Sequence, residues 1–337
     1  MHKHHTFQAV SWVVTASLLI VALSLSGCSG HHLRRTNYLL PQLRSISKTD
    51  ASKLAAYVRR IQIQADNSVI PPRNSSSTSA EVSSNREPAE NSTPKGIAWS
   101  MINWCCQERA LILQYAIASA PKDFSGTPPI IKAADITDEA IDKLIKNPTV
   151  DTGIISITGP LFTEQTIIDP QGKPVAGDTF KIYWSYHHGI VINVEGTFSV
   201  MDLSVSDQPI PIALWVRSFL PPDVPCSLLS IPDYQDDWAY WLSAFSNWET
   251  GTRPTQYCGY IVTPPFRFRW DQDPLVSALR DAVSTMDVQT DGFKGILKSD
   301  HNVDAKDDEL ALYTSKYQAH TEKELNDWMH FAYWDKK

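Results

Sequence analysis

Cysteine and histidine are the side chains in this sequence best suited to covalent chemistry, and their spacing narrows which kind. Five cysteines occur, at positions 28, 105, 106, 226 and 258. No two have the spacing of a zinc-binding pair, so neither a structural metal nor a metal cofactor is expected. In an oxidising compartment Cys226 and Cys258 can close a disulfide, whereas a bond between vicinal Cys105 and Cys106 would be strained. One of that vicinal pair is therefore expected as a thiol. Both stand at the start of an apolar segment, about Cys105 to Ser119, that carries Ala110, Leu111, Leu113, Ala116 and Ile117 and stops before Pro121. Such spacing predicts a helix. Amides and dipole at a helix start favour a thiolate, which is a nucleophile. The plainer alternative is a pair of small buried hydrophobes.

A thiolate nucleophile needs a base, and the base needs a partner to orient it. Of ten histidines, five (His2, His4, His5, His31 and His32) lie near the amino end. His301 and His320 stand in late polar segments, and His330 reads as packing between Met329 and Phe331. His187 and His188 lie inside a strand-like run. Alternation puts Trp184, Tyr186, His188, Ile190, Ile192 and Val194 on one apolar face. Ser185, His187, Gly189 and Val191 take the other, where small residues are expected to leave room for a ligand. His187 is the candidate base and His188 the candidate core histidine.

Glu195-Gly196 lies between this run and the next one, Thr197–Leu203. A two-residue loop sets Val194 opposite Thr197 and puts Asp202 on the face of His187, diagonal to it and within reach of a hydrogen bond. A three-residue loop would set His188 opposite Asp202 instead. Both registers are open at this point, as is an ordinary edge role for Asp202.

The elements that must carry these residues are of both kinds. Helices are expected at 50–63 with Asp50 as cap, at Thr137–Lys146 with Thr137 as cap, and at Ile212–Phe219, Asp236–Ser246, Pro274–Met286 and His320–Trp334. Strands are expected at Ile154–Thr158, Thr166–Ile168, Phe180–Val194 and Thr197–Leu203. Helix, then mainly antiparallel sheet, then more helices is an α+β order. Residues 72–95 hold seven Ser and three Pro with no aromatic residue, the composition of a linker. The chain is 337 residues long with a net charge of −7 and no basic block, which argues against a nucleic-acid partner. No glycine-rich phosphate loop, dinucleotide fingerprint or repeat is present.

Three segments together resemble the bacterial protein-glutaminases, which deamidate glutamine side chains within proteins. Cys106-Gln107-Glu108-Arg109-Ala110 is similar to their Cys-x-x-Arg-Ala segment, and Trp184-Ser185-Tyr186-His187 to their Trp-x-Tyr-His segment. Asp202-Leu203-Ser204, with Pro209, Pro211 and Trp215 behind, resembles their Asp-Pro-Ser stretch. The order Cys, His, Asp is that of the papain- and transglutaminase-like superfamily. The resemblance implies a Cys106–His187–Asp202 triad on such a core, acting without a cofactor on glutamine-bearing protein or peptide. The sequence departs from the pattern at Cys105, His188 and Leu203, and the long interval between Cys106 and His187 implies an insertion over about 121–175. The alternatives are a transglutaminase, an NlpC-type envelope cysteine peptidase (whose Asp-Cys-Ser-Gly signature is absent) or a non-enzymatic binding module using Trp238–Trp248.

The amino end looks like an address. A partly basic start and an apolar run from about Val10 to Leu25 precede Leu25-Ser26-Gly27-Cys28, which resembles a bacterial lipobox. It implies that Cys28 becomes the lipidated first residue of an exported, membrane-tethered protein, with Ser29 pointing to the outer membrane. The expected organisation is a signal peptide over 1–27, a tether and helix over 28–71 and the linker over 72–95. A catalytic domain over 96–265 and a helical extension over 266–337 complete it.

Overall fold

The computed structural model describes residues 42–65, 93–99, 106–175, 180–220, 226–228, 259–263, 265 and 275–318. Ser47 caps the first helix, α1 (Lys48–Arg59), its Oγ accepting from the Asp50 amide at 3.0 Å. The expected cap, Asp50, instead lies in the first turn, where its carboxylate accepts from Ser47 Oγ. Leu54, Ala55 and Val58 of α1 are fully buried. Helix α2 (Cys106–Ser119) has ten of its 14 residues buried, and they lie all round it. A helix apolar on every side belongs in the middle of a fold. Accordingly α2 packs against α1, α3 (Asp138–Lys146), the sheet and the long α5 (Leu275–His301). α3 starts as expected, with Thr137 Oγ1 accepting from the Ala140 amide.

The main sheet is built from β5 (Gly153–Ile168), β6 (Phe180–Val194), β7 (Thr197–Met201), β8 (Ile210–Pro211), β9 (Ser227–Leu228) and β10 (Gly259–Thr263). Its order is β8-β7-β6-β5-β10-β9, with β1 (Ser45–Ile46) added parallel to β6 and β11 (Thr314–Gln318) added antiparallel to β5. A smaller sheet of β2 (Gln62–Gln64), β3 (Lys95–Gly96) and β4 (Ile131–Lys132) is ordered β3-β2-β4. The fold is thus α+β, with mixed sheets and packed helices.

Several segments depart from their expected roles. The two short strands expected within 154–168 are one strand, because the register shifts between Thr158 and Leu161 instead of ending there. Gly159-Pro160 occupies that bulge, where a proline without an amide proton is tolerated. β5 is therefore central to the sheet, although it lies in the stretch expected as an insertion. The helix expected over Pro274–Met286 runs on to His301, and Ala278, Leu279, Ala282, Val283 and Met286 share a core with α1 and α2. Within 266–337, α5 supplies core and β11 a strand of the main sheet, and within 28–71 α1 supplies core. Lys95 fastens β3 to α5 through Asp287 at 3.1 Å and Asp291 at 2.7 Å. The expected linker lies mostly, and Asp236–Ser246 and His320–Trp334 lie wholly, outside the described residues.

The Glu195-Gly196 hairpin settles the register. Pairs run from Val194 with Thr197 to Ile190 with Met201, the two-residue alternative. Both turn residues have positive φ, 50° and 84°, the signature of the turn that matches strand twist. A glutamate is an unusual occupant of this conformation. Two bonds hold it there: its amide donates to Ile46 O, and its Oε1 accepts from the Lys48 amide, both at 3.0 Å.

Candidate active site

β6 divides the core. Ile190, Ile192 and Val194 pack with α1, α2 and α5 on one face. Val191 packs on the other with Ile155, Ile157, Val200, Trp215 and Phe219. His188 has the parity of the first face and His187 that of the second, with no register shift among their pairs to β5. Both histidines are buried.

His187 Nε2 lies 2.7 Å from Asp202 Oδ2, and the two side chains are 1% and 7% exposed. Asp202 is held from three sides. Trp215 Nε1–H donates to Oδ2 at 2.9 Å, while Ser204 donates to Oδ1 from its amide at 3.1 Å and from Oγ at 2.5 Å. The Asp202 carbonyl accepts from the amides of Val205 and Ser206, closing a turn that fixes the residue at the end of β7. Burial by itself would raise the Asp202 carboxyl. The charge and hydrogen bond of His187, with the bonds from Ser204 and Trp215, outweigh it and bring the carboxyl down to about 2. An ionised carboxylate only accepts, so Nε2 of His187 is the donor.

Aromatic rings enclose the imidazole. Trp215 stacks on it with centroids 5.9 Å apart, and Phe219 tilts against it at 5.1 Å. Trp215 comes from the short helix α4 (Ile212–Arg217), which follows β8 directly. The room expected beside Gly189 is filled. A Cβ there would stand 2.5 Å from Val200 Cγ1 and 3.3 Å from the Trp215 ring. The small residue on this face admits a tryptophan, not a ligand.

His188 pairs directly with Ser156, whose Oγ lies 2.8 Å from Nδ1. Burial, and then the charge of His187, push its pKa down to about 3, with Asp202 opposing only in part. It is a neutral core histidine, as alternation implied. Cys106 is the first residue of α2, buried and outside any disulfide. The structure therefore brings His187 and Asp202 together, while the body of α2 packs on the face of His188. Cys226 is disulfide-bonded. Cys28, Cys105 and Cys258 lie outside the described residues.

Some polar residues near the dyad have no single-residue signature. Beyond the bulge in β5, Leu161 still packs with Ile155 and Ile157. Gln165 has the same parity as Leu161, and its Nε2 donates to Ser204 O at 2.7 Å. Gly159-Pro160 was the available signal. Among the described residues no cluster of His, Cys, Asp and Glu is placed to hold a metal ion, and no helix is long and apolar enough to cross a membrane. A cavity of about 600 Å³, lined by residues including Arg44, Lys122, Lys146 and Asp151, contains none of the candidate catalytic side chains. No family model, curated protein or solved structure matches the chain.

Proposed function

We propose that the chain is a thiol amidohydrolase that deamidates protein- or peptide-bound glutamine, with Cys106 as nucleophile, His187 as base and Asp202 as the group that orients it. One observation carries the reading: the buried bond from His187 Nε2 to an Asp202 carboxylate held by three further donors. A carboxylate so fixed sets the imidazole tautomer and stabilises the imidazolium, the role of the acid in a nucleophile–base–acid triad. A papain- or transglutaminase-like core is part of the proposal. Its support is a helix that begins at a cysteine and packs on an antiparallel β5-β6-β7-β8 sheet.

In the proposed reaction the Cys106 thiolate attacks the glutamine side-chain carbonyl and the carbon–nitrogen bond breaks. His187 gives the proton that lets ammonia leave, then takes one from the water that cleaves the thioester. Glutamate and the thiol are the products. No cofactor takes part.

A second reading gives the base role to His188, because its face of β6 is the one α2 packs against. Its pKa of about 3 makes it a weak acceptor for a thiol proton, which favours His187. Ammonia release from an unfolded glutamine-rich protein separates these readings. Wild type should release ammonia, Cys106→Ala and His187→Ala should not, and His188→Ala should retain turnover in whatever fraction folds. Loss in folded His188→Ala with activity kept in His187→Ala would give His188 the role. Ammonia release with amine incorporated into the side chain in place of glutamate formation would favour a transglutaminase, and peptide cleavage an envelope peptidase. No turnover of any kind in wild type would leave a binding module.

The lipobox-like ending supports an exported protein tethered to the bacterial envelope, at the outer membrane, through lipid on Cys28. Cys28→Ser should leave an unprocessed precursor or a soluble protein. Unchanged processing and membrane fractionation would refute the anchor.

A further inference from the structure

One buried charge on α2 has no counterpart among the described residues. Arg109 is 4% exposed, and neither Nη1 nor Nη2 has a hydrogen-bond partner there. Buried guanidinium groups that persist are normally paired, because desolvating an isolated cation costs several kcal/mol. The contrast along the same helix is plain: buried Gln114 donates to Thr152 Oγ1 at 2.9 Å. Residues three apart lie on one side of a helix, and helical side chains lean toward the amino end. By that geometry Arg109 is placed to reach over the first turn, which begins with Cys106. The first-turn amides have no partners within the helix and add their own positive end of the dipole.

We propose that the first turn of α2 is an anion site, in which the Arg109 guanidinium holds a carbon-bound oxyanion or carboxylate beside Cys106 Sγ. The proposal takes Cys106 as the nucleophile, as in the reading above. In that reaction the same position would receive the oxyanion formed when the thiolate attacks an amide carbonyl, and then the side-chain carboxylate of the glutamate product. A planar guanidinium suits both, since each offers oxygens to two parallel N–H donors.

The test needs no turnover. Cys106 of the full chain is alkylated by iodoacetate or by neutral iodoacetamide, and labelling is located by peptide mass mapping. An anion site raises the iodoacetate-to-iodoacetamide rate ratio about tenfold over the same protein unfolded in urea. Arg109→Gln should bring the ratio down to the unfolded value, and Arg109→Lys should keep part of it. Propionate then separates the two sources. Protection of wild type but not Arg109→Gln marks a site for free carboxylates, while an enhanced ratio without protection marks one that holds only an anion attached to the reacting group. A native ratio equal to the unfolded one overturns the proposal, as does a ratio unchanged in Arg109→Gln. Labelling of Cys106 by neither reagent does so too, because a turn closed to iodoacetate is closed to a substrate anion. If Arg109→Gln does not fold, the wild-type ratio and Arg109→Lys decide. A chain that passes while releasing no ammonia keeps the site and loses the deamidation.

Discussion

Acid should weaken this fold well above the pH at which its carboxylates titrate, and His188 is the reason. The ring is buried, its Nδ1 is 2.8 Å from Ser156 Oγ, and burial with the neighbouring His187 charge lowers its pKa to about 3. In the unfolded chain the same ring titrates near its ordinary value, about 6.5. Between those values the unfolded state binds a proton that the folded state refuses, so stability falls as the pH falls. Each unit of that interval is worth about 1.4 kcal/mol. The loss is then about 2 kcal/mol between pH 7 and pH 5, and about 4 kcal/mol by pH 3. The perturbation is His188→Gln, which keeps a polar side chain but cannot titrate. Urea unfolding at pH 7 and pH 5 is the assay, with wild type and variant compared at each. Wild type should lose about 2 kcal/mol over this step and the variant much less, the remaining histidines being common to both. Equal losses would refute the account, showing that His188 takes up its proton in the folded state at little cost.

The other predictions concern the same strand and its neighbours. Gly189→Ala should destabilise by about 1–3 kcal/mol in urea unfolding, because the added Cβ would meet Val200 Cγ1 at 2.5 Å. Trp215→Phe keeps a ring but removes one donor to Asp202, and should cost about 1–2 kcal/mol at pH 7. The lowered Asp202 carboxyl contributes stability above about pH 4 that disappears toward pH 2, so Trp215→Phe should also show a smaller acid loss over that interval. Gly196→Ala, at φ 84°, should cost about 1 kcal/mol, measured by the same urea midpoints.

How far the sequence could be read depended on whether local pattern or tertiary packing decided the outcome. The strand bearing both histidines was legible residue for residue, because fifteen positions alternate without a glycine-proline break. The partner of His187 was legible as far as a choice between two registers. The observed two-residue register comes with a bond from the Glu195 amide to Ile46, a residue about 150 positions earlier, which no hairpin rule includes. β5 was misread as two strands because the bulge at Gly159-Pro160 shifts the register without ending the ladder. α5 was cut short for a related reason. Beyond Met286 its apolar residues thin out, yet Phe293 and Leu297 bury themselves in a separate cluster with Leu310 and Tyr313. A helix is sustained there by partners distant in the chain, Ala98 and Ile167 before it and Leu310 and Tyr313 after it.

The face beside His187 shows why a small residue is an ambiguous sign. A glycine in a strand marks close approach, but it does not name what approaches. Here Val200 and the Trp215 ring fill the volume that a side chain at 189 would need. That position lets the indole lie against β6, which in turn brings Nε1 within 2.9 Å of Asp202 Oδ2. The same carboxylate oxygen holds His187 Nε2. Trp215 Nε1 and His187 Nε2 thus meet at one carboxylate oxygen, and Trp215 reaches it from its place beside Gly189. A vacancy read as space for a substrate is instead the seat of the residue that helps to orient the candidate base.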